Sequence, residues 1–433
     1  VHRRSLALVA GITAGSLATG AGLYSSYALM TPVPAVAGHV IERAIIATPV
    51  ETVALPGYGA SAIGPVDERG AVYAGVDVDT ARPIASITKL VTALVVLDRS
   101  PIAAGESGPT ITLDAAAGAL DEEYIARNGS YAPAREGLQL TQRQMIDLML
   151  VWSANNYADT LAIWAFGSIE AYVEAAAEWI DREGLEELRV ADATGFSPQS
   201  SGTPRALLDL ARLAVANPVV ADSAGLERID VPGVGVFENR NTALGLDGVT
   251  GLKTGTTQEA GACLLFSGRT EVDGELVETV GVVLDADVHA RAAADSRTLL
   301  TSVVDDYRSV ELGTAGEVVA RWRAAWGDEV ELRIADDARE LVWGEATSQT
   351  FVPTPALAPG GRAPEDPLMI VQLGDEQLDV PLEWSGRMGG PDVWWRLMRP
   401  LREWGILEEQ VARRPIALRA VSVAASPPPA ASR

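Results

Sequence analysis

Apolar and polar positions follow two rhythms along the chain. Between about residues 40 and 80, short apolar runs (HVIERAII, GASAIGPV, GAVYAGVDV) are cut by Gly, Pro and Asp. That composition predicts strands and turns. The rhythm then becomes helical in SITKLVTALVVLDRS, where Ile87, Leu90, Val91, Leu94 and Leu97 recur at helical spacing. Ser86 stands at the start of this helix, where a serine side chain can cap free N–H groups. The stretch LTQRQMIDLMLVWSANNYADTLAIWAF predicts two more helices. Met145, Leu148, Met149 and Trp152 share a face of the first; Tyr157, Leu161, Ile163 and Trp164 belong to the second. SANN between them has turn composition with apolar segments on both sides, so the turn is expected to be drawn against a core.

Around residue 253 the pattern returns to strands: GVTGLKTGT, ACLLFSGRT and ELVETVGVVLDA, with VDG as the hairpin turn between the last two. An Ala-rich helical stretch, VHARAAADSRTLLTSVVDDY, follows. From about Gly313, short strands flank a Pro/Gly loop, VPTPALAPGGRAPEDP, and residues 314–405 form an expected smaller β-rich domain. In VWWRLMRPLREW, Trp394, Leu397, Met398, Leu401 and Trp404 would share a helical face opposite arginines. Such a face suits a membrane surface or a packed domain edge; Pro400 interrupts the helix and favours the edge.

The two ends differ from the rest. His-Arg-Arg opens the chain, and no charge follows from Ser5 to Gly38. Residues 1–38 therefore read as a signal peptide, with Ala35-Val36-Ala37 as a small-residue cleavage site, or as an N-terminal membrane anchor. Either way the remainder is expected to be exported. Residues 406–433, rich in Pro, Ala and Ser, are expected to be a disordered tail.

Composition narrows the function. With 433 residues, of which 48% are hydrophobic, the chain can form two domains with a sizeable core. A net charge of −24 argues against a nucleic-acid partner, which needs a basic face. The single cysteine, Cys263, excludes an intrachain disulfide and lies in an apolar run. One Cys and three His make poor material for a zinc site. Only His289 is placed to serve a Ser-His-Asp triad, and no G-x-S-x-G motif accompanies it.

The basic residues carry the sharpest signal. Of 34, only two are lysines, Lys89 and Lys253. Arginine is a permanent charge, whereas lysine can lose its proton when buried or placed near another cation. Ser86 and Lys89 are three apart on one helix and share a face. A serine hydroxyl becomes a useful nucleophile when a neighbour removes its proton. Bringing a lysine from its usual value near 10.4 to about 7 costs roughly 4 to 5 kcal/mol. Desolvation and repulsion from Lys253 are the expected sources, so the two lysines should lie close together.

S-x-x-K (Ser86 to Lys89), S-x-N (Ser153 to Asn155) and K-T-G (Lys253 to Gly255) occur in the order of the penicillin-recognising serine acyl-transferases. The chain resembles the low-molecular-weight penicillin-binding proteins, D-alanyl-D-alanine carboxypeptidases of peptidase family S11. RPIASITKLVTAL, DATGFSPQSSGTPRALLDLARLA and NRNTALGLDGVTGLKTGTTQEAGACLLFSGR are similar to that family's blocks as well. The resemblance implies an α+β class: a β-lactamase/transpeptidase-like domain, an antiparallel sheet flanked by helices, at 39–313, and a smaller β-rich C-terminal domain. It implies that Ser86 is the nucleophile, Lys89 its base, and Ser153 a proton relay to the leaving group. Asn155 would hold a substrate amide and Lys253 would support the electrostatics. Thr254, Gly255 and Thr256 would line the subsite for the terminal carboxylate, with Arg291 nearby. The backbone N–H groups of Ser86 and Thr256 would form an oxyanion hole. The implied partners are peptidoglycan stem peptides ending in D-Ala-D-Ala, β-lactam antibiotics, and a membrane through the N-terminal segment. No metal or organic cofactor is implied. S-A-N replaces the family's usual S-G-N, and the intervening Ala154 is small.

Two rivals remain. A class A β-lactamase shares S-x-x-K and K-T-G but needs a glutamate, usually in E-x-x-L-N, and this chain has no Leu-Asn pair. A non-catalytic wall-binding protein on the same fold would have no use for the retained lysines.

Overall fold

A five-stranded antiparallel sheet organises the larger part of the molecule, in the order Val249–Thr257, Gly261–Val272, Glu275–Ala286, Ala60–Pro65, Ala74–Val76. The computed structural model describes residues 2–48, 52–374 and 376–407. Its helices, in chain order, are α1 (His2–Met30), α2 (Thr88–Arg99), α3 (Ala115–Ala126), α4 (Gln142–Val151), α5 (Asn155–Phe166), α6 (Ile169–Arg182), α7 (Pro204–Ala216), α8 (Pro218–Ala224), α9 (His289–Val304) and α10 (Val393–Glu403).

The central strands are apolar along nearly their whole length because both faces of the sheet are covered. α9 packs on one face, over Phe266, Val283 and Ala262. The other face meets α7 and the large core around α2. Phe266 pairs across the sheet with Gly281, and a Cβ there would lie 2.1 Å from the Phe266 ring, so only glycine leaves the ring its place. The VDG turn forms as expected, with Asp273 and Gly274 both at positive φ, the twist a two-residue hairpin loop requires.

α2 departs from the amphipathic stripe read in the sequence. Ten of its 12 residues are buried, including Thr88, Lys89 and Thr92. It runs through the core as a helix that is apolar nearly all round. Its threonine hydroxyls are satisfied locally, Thr88 donating to Ala85 O and Thr92 to Ala193 O. The side chains of Leu90, Val91 and Leu97 each contribute about 2 kcal/mol of burial. Ser86 is not a cap: it sits in a single 3₁₀ turn, Ala85–Ile87, ahead of α2, and no side chain caps that helix. In α5, Ile163 and Trp164 are largely exposed, while Tyr157 and Leu161 are buried as expected.

The chain divides into two units, with one dividing point beside the expected boundary at 313 and others that the sequence did not indicate. One comprises 46–311 together with 339–348; the other takes 1–45, 312–338 and the described residues from 349 on. Residues 39–45 thus leave the expected 39–313 domain: His39–Val40 pairs with Val318–Arg323 of the smaller unit. Residues 339–348 leave the expected 314–405 domain. Trp343 stacks on Tyr73 with ring centroids 4.3 Å apart, and the Tyr73 and Tyr307 hydroxyls share a hydrogen bond. Thr48 and Ala346 bond to one another through backbone and side chain.

The smaller unit holds a six-stranded sheet built around Val318–Arg323, Glu329–Ile334, Glu376–Gly386 and Leu368–Leu373. α1 and α10 pack together within it. Tyr27 stacks on Trp404, while Arg396 and Arg399 donate to the carbonyls of Leu29 and Pro32. Pro400 lies inside α10 rather than ending it. α1 is a 29-residue helix rich in Gly, Ala, Ser and Thr. Among the described residues, no helix is long and apolar enough to cross a membrane. The expected tail lies, from residue 408 on, outside the described residues.

Candidate active site

Three separate segments converge where the Val249–Thr257 strand passes the start of α2, all within the larger unit. The first is the turn bearing Ser86. Ala85 holds a φ of +46°, a left-handed conformation that an L-residue adopts only under constraint. The constraint is Gly195: a Cβ at this glycine would lie 1.8 Å from Ala85 O. On the other side Gly255 of K-T-G passes so close that a Cβ would lie 2.9 Å from Ser86 N. The two glycines clamp the serine's backbone between a loop and a strand.

Lys89 is wholly buried, in the first turn of α2. Its Nζ lies 2.8 Å from Ser86 Oγ, 2.6 Å from Asn155 Oδ1 and 2.7 Å from the Thr194 carbonyl. A neutral amine has two N–H groups and one lone pair. Asn155 and Thr194 accept the two hydrogens, which leaves the lone pair for Ser86. In that state the Ser86 hydroxyl donates to Nζ, the geometry of a serine about to lose its proton. Burial brings Lys89 down to about 7; the carboxylates of Asp192 and Asp159 oppose the shift, and Arg240 adds to it.

The S-A-N turn is held by its neighbour. Asn156 accepts from Ala132 N and donates to Ala132 O and Asp121 Oδ1, pinning the turn to the 128–134 loop. Asn155, the first residue of α5, is thereby placed on Lys89. Ser153 is buried at a φ of +66°, and its hydroxyl has no hydrogen-bond partner among the described residues.

Lys253 is also buried, with Nζ donating to Thr254 O at 2.9 Å. Its pKa falls well below the usual lysine range through burial first, then the charges of Lys89 and Arg240. The sequence expectation placed this repulsion on Lys89. In the structure it falls on Lys253, and the permanent cation acting on Lys89 is Arg240. Two buried ammonium groups cannot both stay charged, so the one with the less favourable surroundings gives up its proton first. Thr254 is buried, and Thr256 is exposed at the end of K-T-G-T.

Arg291 is not brought to this cluster. Its guanidinium lies over the Tyr58 ring, 4.3 Å from the centroid, and within 3.7 and 3.6 Å of the Asp287 and Asp295 carboxylates. The residue that reaches Thr256 is His289, with Nε2 2.6 Å from Oγ1. Its pKa is lowered by burial and by the charges of Lys253 and Arg240.

Several site residues escaped the sequence reading. Asp192 accepts the backbone N–H groups of Thr194, Gly195 and Ser197. It thereby shapes the loop that supplies both the Thr194 carbonyl and Gly195. Asp159 accepts from the Tyr124 hydroxyl, and burial raises it to about 6. Arg240 stacks on Trp152, has a buried Nε without a partner, and forms no ion pair among the described residues. Asp192 and Arg240 lie in blocks that resembled the family, but nothing in their local pattern set them apart. His289 had been weighed only as a triad member.

A profile of the D-alanyl-D-alanine carboxypeptidase family, peptidase S11, matches residues 60–288, a span that contains the Ser86, Ser153, Asp192, Arg240 and Lys253 segments and ends just before α9, which carries His289 and Arg291. The chain belongs to peptidase family S11. A D-alanyl-D-alanine endopeptidase of Pseudomonas aeruginosa is 32% identical over 222 residues, covering 48% of this chain and 65% of that protein. Its Escherichia coli counterpart is 29% identical over 233 residues, 52% of this chain and 70% of that one. The chain thus spans about two thirds of the length of the curated relatives it matches. Among solved structures, the Streptomyces K15 DD-transpeptidase superposes with a TM-score of 0.52 at 21% identity, covering 59% of this chain and 98% of that one. Penicillin-binding protein 5 of Haemophilus influenzae gives a TM-score of 0.55 at 17% identity, covering 78% and 98%. This S11 chain therefore has the expected α+β fold of the transpeptidase-like enzymes.

Proposed function

We propose that this S11 protein is a serine D-Ala-D-Ala peptidase acting on peptidoglycan stem peptides and acylated by β-lactams. The observation that carries the reading is Lys89: a buried lysine, with both hydrogens of its neutral form engaged, 2.8 Å from Ser86 Oγ. In the first step Ser86 Oγ attacks the penultimate D-Ala carbonyl, and its proton passes to Lys89 Nζ. The backbone N–H groups of Ser86 and Thr256 would receive the developing oxyanion; losing one such donor costs about 3 to 4 kcal/mol. The C–N bond then breaks, and Ser153 relays a proton to the leaving amine. Water hydrolyses the Ser86 ester and frees the enzyme. Thr254 and Thr256 would take the terminal carboxylate. Arg240, whose charge acts on both lysines, is better placed than Arg291 to favour an anionic substrate.

The family's description supports release of terminal D-Ala, a carboxypeptidase activity. The names of the two curated relatives favour a second reading, cleavage of cross-links as an endopeptidase. We also propose an exported protein, from the arginine-led uncharged segment at residues 1–38 and from the position of peptidoglycan outside the membrane.

Intact mass after incubation with excess benzylpenicillin tests the reading. One adduct on the wild type, absent in Ser86→Ala and Lys89→Arg, is the expected result. Hydrolysis of the drug without an adduct would indicate a β-lactamase, and no reaction in a folded sample a binding protein. Incubating the acylating enzyme with a pentapeptide and with a cross-linked dimer then separates the two peptidase activities.

A further inference from the structure

The contact between His289 and Thr256 has a direction. The Thr256 hydroxyl carries one hydrogen and lies 2.7 Å from Gly255 O, to which it donates. With that hydrogen given to Gly255 O, the 2.6 Å contact takes its hydrogen from His289 Nε2. That arrangement corresponds to the Nε2–H tautomer of His289. Burial and the nearby Lys253 and Arg240 hold the ring neutral at physiological pH, and Nδ1 then carries the lone pair. Thr256 is exposed at the end of the strand that also carries Lys253, so its hydroxyl is open to a ligand from the solvent side.

A hydroxyl whose oxygen accepts from a fixed donor keeps its one hydrogen for an acceptor. In the free protein the acceptor is its neighbour's carbonyl, a short and bent arrangement that a better-placed acceptor can replace. We propose that His289 is a positioning residue for the substrate's terminal carboxylate: by donating from Nε2 to Thr256 Oγ1, it keeps that hydroxyl's one proton available to a carboxylate oxygen. The proposal rests on the reading above that Thr256 faces the carboxylate. It makes His289 a determinant of preference for a free C-terminus, at the subsite beside which the sequence reading had expected Arg291. Arg291 is occupied by Tyr58, Asp287 and Asp295.

The test uses the full chain as wild type, His289→Ala and His289→Gln; glutamine retains an N–H donor at a similar reach. Each is compared on a peptide ending in D-Ala-D-Ala and on the same peptide with a C-terminal amide. His289→Ala is expected to lose roughly tenfold in kcat/KM on the free acid, mainly through KM, and to change within about twofold on the amide. His289→Gln should recover most of the loss. Equal losses on both peptides, or a glutamine variant no better than alanine, would overturn the proposal. A second readout does not depend on turnover. With three histidines in the chain, ¹⁵N-histidine spectra should show an Nε2–H tautomer that disappears in His289→Gln. An Nδ1–H tautomer would overturn the inference even in an active enzyme. A wild type that forms the Ser86 penicillin adduct but shows no change in carboxylate preference on His289→Ala sinks this inference alone. A wild type that forms no adduct sinks the reading beneath it.

Discussion

Lys89 has three neighbours within hydrogen-bond reach and, when neutral, two hydrogens to give them. That mismatch turns its lone pair towards Ser86, and the pKa of about 7 makes the neutral form available at physiological pH. Acylation by benzylpenicillin should therefore rise with pH and reach half its maximum near pH 7. The rate of adduct formation across pH, followed by mass, checks this; a flat profile would remove Lys89 as the base. The same shift predicts stability. Below pH 7 both the folded and the unfolded protein hold the Lys89 proton, and burial of the charge is fully penalised. Between about 7 and 10.4 the unfolded chain binds more protons, so stability rises with pH; at pH 7 the penalty from Lys89 is about 4 kcal/mol. Burial lowers Lys253 in the same direction. The gain ends above about pH 10, where unfolded tyrosines ionise while Tyr73, Tyr124 and Tyr172 are held protonated by burial. Urea unfolding midpoints should climb from about pH 7 to 9, and the climb should shrink in Lys89→Met.

At the scale of elements, the site depends on close backbone approaches that no side-chain motif announces. Gly195, at φ +74°, lets its loop lie against Ala85, which in turn is held at φ +46° ahead of α2. Gly195→Ala is expected to push the loop and the Ser86 turn apart. Acylation should fall roughly a hundredfold, as a misplacement of about 1 Å at a reacting group does. Stability should fall by about 2 to 4 kcal/mol. Calorimetry beside adduct kinetics measures both, and a variant with normal acylation would show that the clamp is unnecessary. The apolar runs predicted the helices and strands around the site well, because α4, α5 and the 249–286 strands are buried along most of their length. The same reading took Ser86 for a cap. A serine before an apolar run has the same local pattern whether its hydroxyl turns to the helix N–H groups or to a lysine one turn on.

For the whole molecule, the unit that holds the site is discontinuous. Tyr73, Tyr307 and Trp343 close over one another from three distant parts of the chain. A protein truncated at residue 313 would leave Tyr73 and Tyr307 without Trp343. Its melting temperature is expected to lie several degrees below that of a chain ending at 348, by the usual scaling of about 1 to 2 kcal/mol of lost aromatic packing. Differential scanning calorimetry of the two chains decides it; equal midpoints would return 339–348 to the smaller unit. The composition shift near Gly313 had suggested a clean boundary there, but composition records which residues are present, not which partner they pack on.

The sequence by itself determined the candidate reacting groups and their order. Three residues bring Lys89, in the first turn of α2, back to Ser86 in the 3₁₀ turn ahead of it, and near-exclusive use of arginine elsewhere marked the two lysines as positions where a removable proton matters. Tertiary structure decided what those groups can do. Desolvation lowers Lys89 and Lys253 only because the whole core closes around them. Asp192, Thr194, Gly195, Arg240 and His289 reach the site from segments distant in the chain. Distances across such segments are set by packing, and local residue patterns carry no record of them.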